Sequence, residues 1–113
     1  MPPKKISRLE LLQGTLDLMI LRTLLSGPSH GHAIAKHIQH TSEDVLQVET
    51  GSLYPALHRL EAQGLISSEW ELSDKGKRAK FYSLTRAGKK QLTAELSKWE
   101  QFSAALGRVL KPA

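Results

Sequence analysis

The hydrophobic spacing of this chain changes twice, and those two changes restrict its folds more than any other feature. Up to Gly64 the apolar residues recur at the three- and four-residue intervals of amphipathic helices. From Ile66 to Leu84 they alternate, as strands require, and after Thr85 the helical interval returns. A single short alternating stretch enclosed by helices reads as a small helical domain carrying one hairpin.

Within the first helical region, Leu12, Leu16, Met19, Ile20 and Leu24 form one face of a helix running from about Arg8 or Leu9 to Leu25. Leu18, Leu21 and Leu25 form a second stripe beside it. One stripe packs a helix on one core, so two predict cover on more than one side, most simply from a second subunit. Gly27 ends this helix, and Pro28 with Ser29 begins the next, "GHAIAKHIQHT", which buries Ile34 and Ile38. "SEDVLQV" follows as a polar turn with a short extended stretch. A third helix then starts near Thr50 to Ser52, with Leu53, Leu57 and Leu60 on its apolar face. Pro55 fits only close to that start, where backbone donors lack helical partners. The opposite face collects Gly51, Pro55, His58, Arg59 and Ala62, flanked by Ser52 and Tyr54.

The alternating runs place Ile66, Trp70 and Leu72 on one face of a two-stranded hairpin whose tip, "SDKGKR", is basic. Thr85 caps the last helix, which continues to about Leu110. Leu92, Trp99 and Leu106 repeat there every seven residues, with Leu96, Ser103 and Leu110 as a second row and Phe102 and Val109 alongside. A helix this long outreaches so small a core, so the rows predict a dimer seam. The resulting class is mainly α (α+β): a winged helix-turn-helix with a two-stranded β-hairpin wing and a long C-terminal dimerisation helix. Its expected divisions are a flexible basic tail at 1–8, a DNA-binding domain at 9–85 and the dimerisation helix at 86–113.

Charge points to the partner. The formal net charge is +5, and Lys75, Lys77, Arg78, Lys80, Arg86, Lys89 and Lys90 succeed one another with no acidic residue until Glu95. Concentrated positive charge suits a polyanion. A helix fits the major groove of B-DNA, with hydroxyls of Thr50 and Ser52 at its positively polarised start and His58 and Arg59 a turn further on to touch bases. Lys75, Lys77, Arg78 and Lys80 would grip a neighbouring phosphate backbone. The chain has no cysteine, which excludes disulfides and cysteine-held zinc. Asp17 and Arg22 interrupt the N-terminal apolar run, so it reads as neither signal peptide nor membrane span, and a cytoplasmic location is expected.

The stretches "LLQGTLDLMILRTL", "GPSHGHAIAKHI", "GSLYPALHRLEAQGLI" and "RAKFYSLTRAGKKQL" together resemble the PadR-like transcriptional regulators across nearly the whole chain. That resemblance implies a homodimeric winged helix-turn-helix regulator, usually a repressor, whose C-terminal helix pairs with the N-terminal helix of its partner. By position it puts Ser52, Tyr54, Pro55, His58 and Arg59 on the recognition helix and Lys75, Lys77 and Arg78 on the wing; the helical face and the charge run add Thr50 and Gly51 to the first set and Lys80 to the second. Leu18, Leu21, Leu25, Leu92, Leu96, Trp99, Phe102, Leu106 and Leu110 form the expected dimer interface. The family often has Gly-Tyr where this chain has Gly31-His32.

Three other readings compete. His30, His32, His37 and His40 crowd one region and would suit a metal sensor, with Glu43 or Asp44 nearby. A winged helix can also serve only to bind protein, which explains the fold and seam but not the basic tip. Trp99, facing its counterpart across a two-fold axis, offers a stacking surface for a flat hydrophobic effector, against the plainer role of packing. An enzyme is not expected, because neither a nucleophile elbow nor a phosphate-binding loop is present, and no cofactor is called for.

Overall fold

The computed structural model describes residues 8–72 and 75–112, with side chains from residue 14 onward. The tail expected at 1–8 therefore lies outside the described residues but for Arg8, and so do Ser73 and Asp74 of the hairpin tip. The elements are α1 (Arg8–Leu25), β1 (Ser29–His30), α2 (Gly31–Thr41), α3 (Thr50–Ala62), β2 (Ile66–Leu72), β3 (Arg78–Leu84) and α4 (Arg86–Leu110). This is the winged helix-turn-helix with a long last helix that the hydrophobic periods predict. Among the described residues no helix is long and apolar enough to cross a membrane.

The two-stranded hairpin of β2 and β3 is joined by a further strand that the hydrophobic pattern does not announce. The sheet has three antiparallel strands in the order β1-β3-β2, with Ser29 opposite Tyr82 and His30 opposite Phe81. Two residues are too few to display alternation, so β1 has no signature in the hydrophobic pattern. Its backbone nevertheless covers the edge of β3, whose amide and carbonyl groups would otherwise lack a strand partner. The same pairing uses Ser29 in the strand rather than in the lead-in to α2, which starts at Gly31, the first residue of "GHAIAKHIQHT". His30 becomes the N-cap, its Nδ1 accepting a hydrogen bond from the Ala33 amide at 3.1 Å.

The core lies where α1, α2, α3 and the sheet meet. Ile20, Leu21 and Leu24 pack there with Ile34, Ile38, Leu53, Leu57, Leu60, Ile66, Tyr82 and Leu92. Each such aliphatic side chain, fully buried, stabilises the fold by about 1.5–3 kcal/mol before the entropy of ordering is subtracted. Between α2 and α3 the chain turns sharply, with Glu43 and Asp44 at φ of 56° and 64°. Asp44 offsets that left-handed backbone by accepting from the Gln39 amide side chain at 3.2 Å.

Pro55 lies further into α3 than the sequence argument requires. The Leu53 amide already donates to the Glu49 carbonyl at 2.9 Å, so Pro55, the sixth residue of the helix, falls beyond the unpaired donors. Its missing amide leaves the Gly51 carbonyl without that helical partner, which is tolerated because Gly51 is exposed to solvent.

α4 is anchored at one end only. The Thr85 hydroxyl accepts from the Gly88 amide at 3.0 Å and donates to the Gly64 carbonyl at 2.7 Å. Gly88 passes so close to the start of β2 that a Cβ there would lie 2.0 Å from the Leu65 carbonyl oxygen. Leu92 reaches the core and Leu96 its margin, after which the helix leaves the domain. Its 25 residues span about 37 Å at 1.5 Å per residue, and the molecule is accordingly elongated, 57 × 30 × 23 Å.

Candidate nucleic-acid interface

A groove of about 800 Å³ runs between the start of α2, the exposed face of α3 and the wing formed by β2 and β3. α2 contributes His32 and Lys36; α3 contributes Tyr54 and His58; the wing contributes Trp70, Lys75, Lys77, Arg78 and Lys80. No carboxylate lines it among the described residues. Cations converging on one concave surface raise the local concentration of an anion, and low-dielectric walls strengthen the effect.

The local architecture explains the convergence. On α3 the alternation of buried Leu53, Ala56, Leu57 and Leu60 with exposed Tyr54, Pro55 and His58 fixes which side meets solvent. Tyr54 lies against Gly31, where an added Cβ would approach the phenol oxygen to 2.9 Å. The glycine that opens α2 therefore seats the tyrosine at the floor of the groove. Thr50, Gly51 and Ser52 are exposed at the positively polarised start of α3. Across the hairpin, Leu72 pairs with Arg78 and Trp70 with Lys80, so both cations share the groove face with the indole.

Two of the expected contact residues are engaged elsewhere. Arg59 does not line the groove; its Nη2 donates to Asp17 Oδ1 at 2.5 Å, tying α3 to α1. Burial pushes the Asp17 carboxyl above its ordinary range, opposed by the hydrogen bond and charge of Arg59, while Glu95 on α4 adds a further push upward. The helical wheel placed Arg59 on the open face, but its long stem carries the guanidinium round to α1. Lys80 points into the groove yet sits 3.6 Å from Glu61 and 5.8 Å over the Tyr82 ring, so its charge is partly answered inside the chain. Tyr82 itself is buried, and burial, then Glu61 and Tyr54, hold its hydroxyl in the protonated form. Lys75, Lys77 and Arg78 remain exposed.

Trp70 and Lys36 are groove residues that sequence reasoning does not find. In the sequence the indole is only a hydrophobic member of the hairpin, whereas β2 outruns the core and leaves Trp70 60% exposed. The available signal was its place, an aromatic residue on the same strand face as the basic tip.

The expected dimer residues divide into two groups. Leu21 and Leu92 are 1% and 3% exposed inside their own chain, so they are core residues with no surface left for a partner. The heptad row is continuous along α4, but its first member is already covered by the domain. Leu18 and Leu96 pack at the margin of that core. Leu25, Trp99, Leu106 and Leu110 are exposed, and Phe102 is half-buried with its ring 5.8 Å from that of Trp99. The histidines do not form a ligand set. His30 caps α2 and meets the edge of Phe81, His32 stacks on His30 at 6.4 Å, and His37 shares a hydrogen bond with Thr41. Among the described residues no three His, Asp or Glu side chains gather to hold a metal ion.

Residues 20–94 match the family model described as the transcriptional regulator PadR-like family. A transcriptional regulator of Mycobacterium tuberculosis is 34% identical over 94 residues, covering 83% of this chain and 84% of its own. Among solved structures, a transcriptional regulator of Clostridium thermocellum superposes with a TM-score of 0.82 at 28% identity, covering 90% of this chain and 99% of its own. A PadR family regulator of Eggerthella lenta gives 0.76 at 32% identity, covering 93% and 89%.

Proposed function

Because the chain belongs to the PadR-like family of transcriptional regulators, we propose that it binds double-stranded DNA as a cytoplasmic homodimer and represses transcription by occupying a pseudo-palindromic operator. The family regulates transcription and does not catalyse reactions. Residues 9–85 carry the DNA contacts in this reading, and 86–113 hold the two subunits together. α3 enters the major groove, with Tyr54 and His58 toward the duplex, Thr50 and Ser52 beside a phosphate, and Gly51 and Pro55 allowing a close approach. Lys75, Lys77 and Arg78, with Lys80 behind them, take the flanking backbone. Arg59 positions α3 through Asp17 rather than reading a base. Two such heads, one per subunit, address successive major grooves roughly 34 Å apart.

The observation that carries this reading is the groove itself: five cations, no carboxylate among the described lining residues, and the exposed side chains of α3 within it. The exposed Leu25, Leu106 and Leu110, with Trp99 and Phe102, supply the seam, and paired Trp99 rings there would accept a flat hydrophobic effector.

The test is binding of labelled duplex DNA at rising salt. Each phosphate neutralised releases condensed counterion, so the affinity should fall steeply, and Lys77→Ala should reduce the slope of log affinity against log salt by about 1. Affinity that stays level from low to high salt would overturn the DNA reading in favour of a protein-binding winged helix.

A further inference from the structure

Trp70 stands in the groove for a reason that the charge argument does not supply. Along its face of β2, Ile66 is buried and Ser68 half-buried against α3, while Trp70 and Leu72 extend past the last helix that could cover them. An indole left 60% exposed forgoes much of the burial that such a large apolar ring normally obtains. Arg78 holds it in place, its guanidinium carbon 5.4 Å from the ring centroid. A ring steadied by a neighbouring cation is a preset surface.

What can press against it is limited by its neighbours. Lys36, Lys75, Lys77 and Arg78 share the groove with it, so a second copy of this basic surface is repelled and a polyanion is drawn in. Along a DNA backbone the apolar deoxyribose lies directly between the charged phosphates. Resting on the DNA-binding reading above, we infer that Trp70 is a positioning residue that packs its indole against a deoxyribose of the duplex where the wing meets the backbone. The adjacent cations take the phosphates on either side. The contact is non-ionic, so it releases no counterion and adds affinity that salt does not erode. It fixes the height at which the wing sits on the backbone, and with it the register of α3 in the major groove.

Three measurements on the whole 113-residue chain test this: labelled-duplex anisotropy, its salt dependence, and tryptophan emission during the same titration. The Trp70 signal is the wild-type emission minus that of Trp70→Phe, since the chain has only one other tryptophan, Trp99. That difference signal should change along the same isotherm as the anisotropy and become less accessible to acrylamide. Trp70→Ala should weaken duplex binding roughly tenfold at an unchanged salt slope, and Trp70→Phe should recover most of the loss, which a generic folding defect in the alanine variant would not explain. Saturable anisotropy with no change in the Trp70 signal overturns this contact and leaves the DNA reading standing. A phenylalanine variant as weak as the alanine one, with native circular dichroism, overturns it as well. No saturable, salt-sensitive anisotropy removes the DNA reading and this inference with it.

Discussion

Replacing Arg59 by alanine separates two roles that an arginine on a reading helix can play. If it reads a base, its loss should cost about 1–3 kcal/mol of discrimination at one position of the operator. If it positions α3, the loss should appear as stability. Its Nη2 sits 2.5 Å from Asp17 Oδ1, with the two side chains 31% and 21% exposed. Removing the guanidinium leaves a partly buried carboxylate without its counter-charge, a situation worth about 1–3 kcal/mol; solvent screening at this exposure favours the lower part, about 1–2 kcal/mol. With a urea m-value of about 1–2 kcal/mol/M for a domain of this size, the unfolding midpoint should fall by roughly 1 M. Asp17→Asn should cost less, because burial already opposes its charge. The double variant should be more stable than the sum of the singles implies, by about 1 kcal/mol. The assay is a four-protein urea cycle, joined to selection of genomic fragments bound by wild type and by Arg59→Ala. Additive stability losses, together with a relaxed preference at a single base pair in the selected sites, would refute the positioning role.

Gly88→Ala should lower stability by about 1–3 kcal/mol despite alanine's better helix propensity, since the new Cβ would sit 2.0 Å from the Leu65 carbonyl. Gly107→Ala, in open space on the same helix, should gain up to about 1 kcal/mol; thermal unfolding that moves both the same way would contradict the close approach at Gly88. Leu106→Asp should leave the fold intact, because the side chain is already exposed, while dissociating the proposed dimer and abolishing binding to the proposed operator; a dimer persisting in sedimentation would remove Leu106 from the proposed seam. Asp17 sets a pH dependence. Its folded carboxyl holds the proton more tightly than the unfolded one, so its contribution is fully present below the ordinary value of 3.8 and is lost as pH rises through the raised one. Wild type should therefore lose stability relative to Asp17→Asn as pH rises from 3.8 through the raised value and stay level above it; a constant difference throughout an acid-to-neutral titration would contradict the burial of the carboxyl.

The helices and the hairpin were legible because each carries its own period over enough residues to be counted. α1, α2 and α4 begin and end close to where the break at Gly27 and Pro28 and the cap at Thr85 place them. β1 was not legible, since two residues have no period and their only reason for being extended is the edge of β3, fifty residues away. At the site, Tyr54, His58, Lys75, Lys77 and Arg78 could be taken from the sequence because a helical wheel and a charge run both report surface directly. Arg59 and Lys80 could not, because their stems are long enough to reach Asp17 and Glu61, partners that only the tertiary fold brings near. The heptad rows of α4 identified an apolar stripe correctly, but a repeat has no marker for the place where intramolecular cover stops. Leu92 and Leu106 look alike in sequence and differ entirely in burial.

His30 closes β1, caps α2 through its ring nitrogen and rests on the edge of Phe81 in β3. One residue thus rivets opposite banks of the cleft together. In the proposed DNA complex α2, α3 and the wing would therefore meet the duplex already tied to one another, and binding would forfeit little chain freedom. A duplex of different groove width would have to adjust to that fixed frame, so in this reading the protein would act as a caliper for the polymer.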